Sequence, residues 1–164
     1  MDTLWAPWRM KYILDPKHTG GCIFCDNPKA DQDRELLILH RGKLCFIMLN
    51  LYPYNNGHMM VMPYRHISRL DEMTPEENAD MMMLTQKCAA VLDEKFRPNG
   101  FNIGMNIGQA AGAGIDDHLH MHIVPRWCGD CNFMPVIGET KVMPQHLDAT
   151  YAALIDGFKG QMKP

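Results

Sequence analysis

The sequence predicts an α+β fold in which helices flank an antiparallel β-sheet, and three observations support this prediction. Short apolar runs bounded by turn residues occur in the first third of the chain, and further short strands follow a single long helix. Strands on both sides of one helix favour an antiparallel sheet over alternating βαβ units. The chain has 164 residues and lacks internal repeats, so we expect one domain over residues 1–164 with its own core.

The first two predicted strands form a hairpin. Residues 36–40 and 44–49 are short apolar runs, and Arg41-Gly42-Lys43 separates them as a turn. A third strand is predicted over residues 58–62, where Pro63 follows it.

The long helix is predicted over about residues 75–96. Thr74-Pro75-Glu76-Glu77 combines an N-cap threonine, a proline at the first helical position and a glutamate at the third. Pro98-Asn99-Gly100 should end the helix, and residues 101–106 should form the next strand. A weaker helix is predicted over residues 145–158.

Composition argues against two classes of protein. The chain is 46% hydrophobic and 21% charged, with a mean hydropathy of −0.25, which are values of a globular protein and not of a membrane protein. The formal net charge of −3 gives no support for coating a nucleic acid polymer.

Residues 1–20 are expected to form an arm without the features of a secretory signal, so we expect a cytoplasmic protein. Residues 159–164 should fray.

Three histidines stand at alternate positions near residue 120. The segment His118-Leu-His-Met-His-Ile-Val124 alternates polar and apolar residues, which predicts a strand, ended by Pro125, with the histidines on one face. A protein gains little stability from such a row, because imidazoles charge near neutral pH. Imidazole can act as a nucleophile, a general acid–base or a metal ligand, and alternate Cα atoms lie about 6.7 Å apart. The central histidine could therefore face a substrate while its neighbours support it.

A glycine-rich loop directly precedes these histidines. Between Asn106 and Gly114 the chain has glycines at 108, 112 and 114. Glycine permits turns that expose backbone N–H groups to phosphate oxygens. We interpret the loop as a phosphate-binding segment, with a merely flexible loop as the alternative.

Two cysteine pairs indicate a possible metal site. Cys22-Ile-Phe-Cys25 could supply half of a zinc site, with His66 and His118 as the other two ligands. Cys128-Gly-Asp-Cys131 could instead complete an all-cysteine site. A redox role for the first pair is disfavoured because no thioredoxin-like pattern surrounds it.

We interpret the remaining cysteine, methionine and aromatic side chains as residues that pack in the core or against it. Cys45 and Cys88 lie in apolar surroundings and should be buried. Met81-Met82-Met83 should pack the long helix. The aromatic and basic arm could pack on the body or grip a nucleotide, and we favour packing; it comprises Trp5, Trp8, Arg9 and Lys11.

The chain resembles the histidine triad superfamily of nucleotide hydrolases and transferases. His118-Leu-His-Met-His-Ile-Val-Pro-Arg126 is similar to the family signature. Other landmarks occur in the expected order along most of the chain: Cys22-Ile-Phe-Cys25, Asn50 before Gly57-His58, Met62-Pro63-Tyr64-Arg65-His66, and Asn106-x-Gly108-x-x-Ala111-Gly112.

The resemblance implies roles for individual residues. His120 resembles the nucleophile that forms a nucleotidyl-histidine, and His122 resembles the histidine that supports the phosphate. Asn50, Asn106, Gly112 and His58 match positions that contact the nucleotide or its phosphate. The resemblance further implies a homodimer, a nucleotide substrate and a structural zinc ion; the ligands of that ion would be Cys22, Cys25, His66 and His118.

Two departures limit the transfer of roles. Gly114 stands where many members have a glutamine, and Asn50 occupies the position of an aspartate that holds the ribose hydroxyls. Three segments look closer to the diadenosine tetraphosphate phosphorylase-like branch than to the phosphoramidase-like members of the superfamily: Trp5-Ala-Pro-Trp-Arg9, Asn50-Leu-Tyr-Pro-Tyr54 and Pro125-Arg-Trp127.

Two other functions compete with nucleotidyl transfer. The three histidines could share one catalytic metal, as in a metal-dependent hydrolase or oxygenase. Alternatively the protein could bind nucleotides without catalysis, since membership of a superfamily does not fix an activity.

Overall fold

The structure is a computed structural model that describes residues 21–112, 114–115, 117–130 and 143–159. The predicted arm (residues 1–20) lies outside these ranges, as does all of the predicted tail except Lys159. Within them, no helix combines the length and apolarity needed to cross a bilayer.

The core of the fold is one five-stranded antiparallel sheet in the order β1-β2-β3-β5-β4. Its strands are β1 (Ile38–Arg41), β2 (Cys45–Leu49), β3 (Met59–Pro63), β4 (Gly100–Gly104) and β5 (Met121–Arg126). Among the described residues, three helices accompany it: α1 (Ile23–Asp26), α2 (Pro75–Phe96) and α3 (Leu147–Ile155). The predicted α+β fold class is thereby confirmed.

The hairpin of β1 and β2 forms where the sequence predicted it, and α2 fixes its turn. A carboxylate oxygen of Asp80 on α2 accepts hydrogen bonds from the backbone N–H groups of Leu44 and Cys45, at 2.7 and 2.9 Å. Cys45 is fully buried beneath this contact, and its burial raises the pKa of its thiol to about 12. The prediction that Cys45 belongs to the core is confirmed, and the same holds for Cys88.

Helix α2 runs over the residues that its end signals predicted. Thr74 Oγ1 accepts a hydrogen bond from the N–H of Glu77, and the Glu77 carboxylate accepts one from the N–H of Thr74. This capping box satisfies two N–H groups that would otherwise lack a partner. Met81 is buried as predicted, whereas the packing prediction is wrong for Met82 and Met83, which are 49% and 44% exposed on the outer side of the helix.

The sheet separates two apolar clusters. On the helix face, alternate strand residues pack with α2 and α3; they include Ile47, Met59, Val61 and Ile123. On the opposite face a smaller cluster contains Phe24 of α1, and its other buried members are Ile38, Phe46, Met48, Met60 and Met62. His58 and His122 share the strand alternation of Met60 and Met62, so they belong to this second face.

The last strand differs from its predicted bounds. Strand β5 begins at Met121 instead of His118 and continues through Pro125 to Arg126. Proline is tolerated because β3 pairs with β5 only from Met121 to Ile123, so at residue 125 only β4 lies alongside. Strand β4 ends at Gly104, which leaves Asn106 in the following loop.

The C-terminal helix is slightly shorter than predicted. α3 covers Leu147–Ile155, and a 3-10 turn over Asp156–Phe158 completes the segment. Tyr151 on this helix donates a hydrogen bond from its hydroxyl to the carbonyl of Ile38, which ties α3 to β1.

Candidate active site

His120 occupies a buried position just before β5, and its ring has one defined tautomer. Its Nδ1 lies 2.8 Å from the backbone carbonyl oxygen of His118. A carbonyl only accepts, so Nδ1 must carry the proton and donate it. In the neutral ring Nε2 is then unprotonated, and no described residue makes a hydrogen bond to it. Burial lowers the pKa of His120, which favours this neutral form, although the hydrogen bond to the carbonyl opposes the shift.

A second pair of imidazoles forms a directed chain beside His120. The backbone N–H of Tyr54 donates to Nδ1 of His58 at 3.0 Å, so that nitrogen carries no proton. Nε2 of His58 therefore donates to Nδ1 of His122, at 2.9 Å. His122 in turn carries its proton on Nε2. The ring centroids of His120 and His122 lie 4.7 Å apart at an interplanar angle of 79°, so the two rings are direct neighbours.

Asn50, predicted to contact the nucleotide, takes part in this chain. Its Oδ1 accepts a hydrogen bond from the N–H of Tyr52 at 2.9 Å, and its Nδ2 lies 3.4 Å from Nδ1 of His58. The carboxamide thus supports the tautomer of His58. A carboxylate at this position could not donate to that nitrogen, which gives the departure from the family aspartate a structural consequence.

The predicted phosphate loop approaches the histidines at one end. Nδ2 of Asn106 lies 3.4 Å from Nε2 of His122. Two donors cannot form a hydrogen bond, so with Nε2 of His122 protonated the Asn106 amide must turn to present Oδ1 as the acceptor. A 3-10 turn over Gln109–Ala111 follows, and glycines with positive φ flank it at positions 108 (78°) and 112 (79°). The N–H of Gly112 donates to the carbonyl of Gln109 within this turn. Ala113 and Asp116 lie outside the described residues.

The four predicted metal ligands converge at one point. One ligand atom from each residue lies within 4.8 Å of every other, and the residues are Cys22, Cys25, His66 and His118. Nδ1 of His118 is 3.2 Å from Sγ of Cys22 and 3.5 Å from Sγ of Cys25. Nδ1 of His66 is 3.3 Å from Sγ of Cys25. Tetrahedral zinc with the usual Zn–S and Zn–N bonds separates sulfur from nitrogen by about 3.5 Å, so these residues fit a zinc ion.

Two of the four residues, Cys22 and His118, are uncharged at pH 7 in the absence of a cation. Burial raises the pKa of the Cys22 thiol to about 11, and burial lowers the pKa of His118. Without a cation the thiol is protonated and the imidazole neutral at pH 7, so a metal would displace the thiol proton on binding. Nε2 of His118 lies 2.9 Å from the Pro63 carbonyl and donates to it, which leaves Nδ1 as the ligand atom.

An ion pair anchors the loop that carries His66. The Arg65 guanidinium donates to both carboxylate oxygens of Glu77 at the start of α2, at 2.9 and 2.8 Å. This contact lowers the pKa of Glu77 to about 2. The predicted ligand His66 therefore directly follows Arg65, which this ion pair holds against the long helix.

The geometry does not favour the other two metal arrangements. His118 turns its Nδ1 to the cysteines, whereas Nδ1 of His120 faces a carbonyl and Nδ1 of His122 faces His58. The three rings therefore do not share one metal position. Cys128 is exposed and does not join the cluster formed by the described residues, and Cys131, the other member of the all-cysteine alternative, lies outside them.

Two aromatic residues contact the histidines without having been predicted to do so. The Tyr54 ring centroid lies 4.6 Å from that of His58 and 5.5 Å from that of His122. The Phe24 ring lies 5.5 Å from His118 and 5.2 Å from His120. Tyr54 stands in a family-like segment and Phe24 between the two cysteines, but neither position signals a contact across the fold.

Comparisons with known proteins find a matching family model and relatives along most of the chain. A family model described as the HIT domain matches residues 32–128. The chain is 45% identical over 158 residues to the AP-4-A phosphorylase of Mycobacterium tuberculosis, and the match covers 92% of this chain and 80% of that protein. It is 36% identical over 128 residues to the asymmetrical bis(5'-nucleosyl)-tetraphosphatase of Schizosaccharomyces pombe, covering 77% of this chain and 70% of that one.

A solved structure gives the same fold. The zinc-bound histidine triad family protein from Mycobacterium smegmatis superposes with a TM-score of 0.66 at 25% identity, covering 84% of this chain and 92% of the other. The matched range includes His58, His120 and His122 with the strands that carry them. The chain therefore belongs to the HIT domain family, and within it to the AP-4-A phosphorylase-like branch.

Proposed function

We propose that this enzyme transfers a nucleotidyl group from a diadenosine polyphosphate through a covalent intermediate on Nε2 of His120. The observation that carries the proposal is the hydrogen bond from Nδ1 of His120 to the His118 carbonyl, which leaves Nε2 as the free lone pair. The relatives named above as AP-4-A phosphorylase and bis(5'-nucleosyl)-tetraphosphatase support the choice of substrate class.

The first step breaks one bond and forms one. Nε2 of His120 attacks the α-phosphorus, and the bond from that phosphorus to the bridging oxygen breaks, so the rest of the polyphosphate departs with its electron pair. The proton on Nδ1 stays hydrogen-bonded to the His118 carbonyl, which stabilises the ring as it becomes positively charged. His122 presents its Nε2–H to a phosphate oxygen and so stabilises the negative charge that develops there.

The second step releases the nucleotide. Inorganic phosphate or water attacks the phosphorus, the P–N bond breaks, and Nε2 of His120 recovers its lone pair. With diadenosine tetraphosphate, phosphate as acceptor gives ATP and ADP, whereas water gives ATP and AMP. The resemblance to AP-4-A phosphorylase favours phosphate.

Zinc in this proposal stabilises the fold. Four protein ligands leave no open position for substrate, so an ion held by Cys22, Cys25, His66 and His118 would supply structural cross-linking. The zinc-bound relative supports the choice of metal.

We also infer that the chain forms a homodimer. β4 is an edge strand of the sheet and exposes Ile103, and Ile107 in the following loop is also exposed. A second copy would satisfy such an edge. Light scattering on the purified protein tests this, with Ile103→Lys expected to yield monomers.

A cytoplasmic location remains a prediction that cell fractionation can test.

The decisive experiment incubates the zinc-loaded protein with diadenosine tetraphosphate, with and without phosphate, and identifies the products. We expect His120→Ala to lower turnover by about 10³-fold or more and to abolish the covalent adduct in mass spectra. His146→Ala, at an exposed histidine, is the matched control. Nucleotide binding without product in the parent protein would favour a non-catalytic role, and unchanged turnover in His120→Ala would refute the mechanism.

A further inference from the structure

A single hydrogen bond does not fix an imidazole ring completely. The contact from Nδ1 of His120 to the His118 carbonyl selects the tautomer, but the ring can still tilt about this bond. An attacking Nε2 must point along the line to phosphorus, and a misplacement of about 1 Å can cost about a hundredfold in rate. Some other contact must restrict the tilt.

The Phe24 ring supplies such a contact. Its centroid lies 5.2 Å from that of His120 at an interplanar angle of 56°. His122 approaches the same imidazole at 4.7 Å and 79°. The His120 ring thus has an aromatic neighbour in Phe24 and another in His122, in addition to its hydrogen bond.

Phe24 is itself held firmly. It is only 2% exposed and belongs to the apolar cluster on the site face of the sheet. It lies in the single turn of α1, between Cys22 and Cys25, and packs edge-on against His118 at 5.5 Å and 80°. One side chain therefore contacts both a predicted metal ligand and the predicted nucleophile.

We propose that Phe24 is a positioning residue that orients the His120 imidazole for attack and that ties this orientation to the turn carrying Cys22 and Cys25. The proposal rests on the proposed function of His120. Its physical content is steric: a flat, rigid ring fills the space into which the imidazole would otherwise tilt. A flexible aliphatic side chain of smaller volume would leave that space partly open.

The kinetic test compares three variants of the full zinc-loaded protein. Phe24→Leu should lower kcat by about 10- to 100-fold and change KM by less than about threefold, because orientation matters in the transition state more than in binding. Phe24→Tyr retains the ring and should keep kcat within about threefold of the parent. Phe46→Leu is the matched control, since Phe46 is fully buried in the same cluster but stacks on Tyr64 instead of the histidines.

A spectroscopic test does not depend on turnover. Histidine side-chain ¹H–¹⁵N spectra of the parent protein should show His120 as one tautomer with the proton on Nδ1. In Phe24→Leu we expect nitrogen shifts averaged between two ring states, with zinc content unchanged. If the parent enzyme turns over no dinucleotide, the proposed function fails, but these spectra still test the positioning.

Three results would overturn the proposal that Phe24 orients His120. Equal loss of kcat in Phe24→Leu and Phe46→Leu would overturn the proposal, because general loosening of the cluster would then explain both. A change in KM alone would also overturn it and would assign Phe24 to substrate binding. His120 ring nitrogen shifts in Phe24→Leu identical to those of the parent would contradict the proposal even if the protein lost stability.

Discussion

The two faces of the sheet are built from the same strands, but one face packs in the apolar core and the other carries the candidate active site. On β3 and β5, Met59, Val61 and Ile123 face the long helix and lie in one apolar core. The alternate residues His58, Met60 and His122 face the other side. Since successive side chains on a strand point in opposite directions, one segment supplies both a stable core and a reactive surface. Substitutions on the two faces should therefore separate stability from catalysis.

Removing the metal should produce the largest effect and tests what holds the site face together. The turn with Cys22 and Cys25 covers that face, and a bound zinc would link it to His66 and His118. At a free zinc concentration about a thousand times the Kd, binding adds about 4 kcal/mol to the free energy of unfolding. Chelation should lower Tm accordingly, measured by calorimetry.

Cys25→Ser should reproduce the effect of chelation, while Cys128→Ser at an exposed cysteine should not. Equal Tm with and without chelator would contradict the zinc assignment.

On the helix face, Ile123→Ala should cost about 3 kcal/mol of stability. Ile123 is fully buried against the long helix, and truncating a buried isoleucine leaves a cavity, with typical losses of about 2–5 kcal/mol. Urea unfolding measures the loss. Turnover per folded molecule should stay near that of the parent, and a large loss of kcat would break the division between the faces.

The adjacent position on the site face should give the opposite result. His122→Asn removes the distal Nε2–H of the imidazole, while the asparagine Oδ1 keeps an acceptor near the position of Nδ1 for His58. We expect kcat to fall by about a hundredfold, which corresponds to about 2.7 kcal/mol in the barrier, because a donor to the phosphate is lost. The free energy of unfolding should change by less than about 1 kcal/mol, and a larger change would show that the imidazole serves the core.

The smallest effect concerns the ion pair between Arg65 and Glu77, and it depends on pH. The guanidinium lowers the pKa of Glu77 to about 2, so the stabilisation is present above about pH 4.5 and is lost as pH falls towards 2. Glu77→Gln should reduce the free energy of unfolding by about 1 kcal/mol at pH 7. The difference from the parent should shrink below about pH 4.5 and vanish as pH falls through about 2.

Glu76→Gln, at the exposed neighbour on the same helical turn, should show no such pH dependence. Urea unfolding across this pH range makes the comparison, and a constant difference between Glu77→Gln and the parent would contradict the ion-pair explanation.

Local chemistry explains which features the sequence could predict. The bounds of α2 follow from Thr74, Pro75 and Glu77, whose side chains satisfy or remove backbone donors within one turn. The convergence of Cys22, Cys25, His66 and His118 was also predicted, because zinc chemistry limits which residue types can complete a CxxC pair.

Contacts that depend on the path of the chain could not be predicted. Whether Pro125 ends β5 depends on how far β3 extends beside it, which the local sequence does not contain. The approach of Phe24 to His120 joins residues far apart in the chain, and the donor to His58 is the backbone of Tyr54. A main-chain donor leaves no signature in residue type.

His118 has two separable roles, one through its imidazole and one through its backbone carbonyl. Its imidazole points to the cysteines, but what it offers His120 is a peptide oxygen that every amino acid possesses. Evolution could therefore discard the metal ligand here and still retain the group that sets the nucleophile's proton.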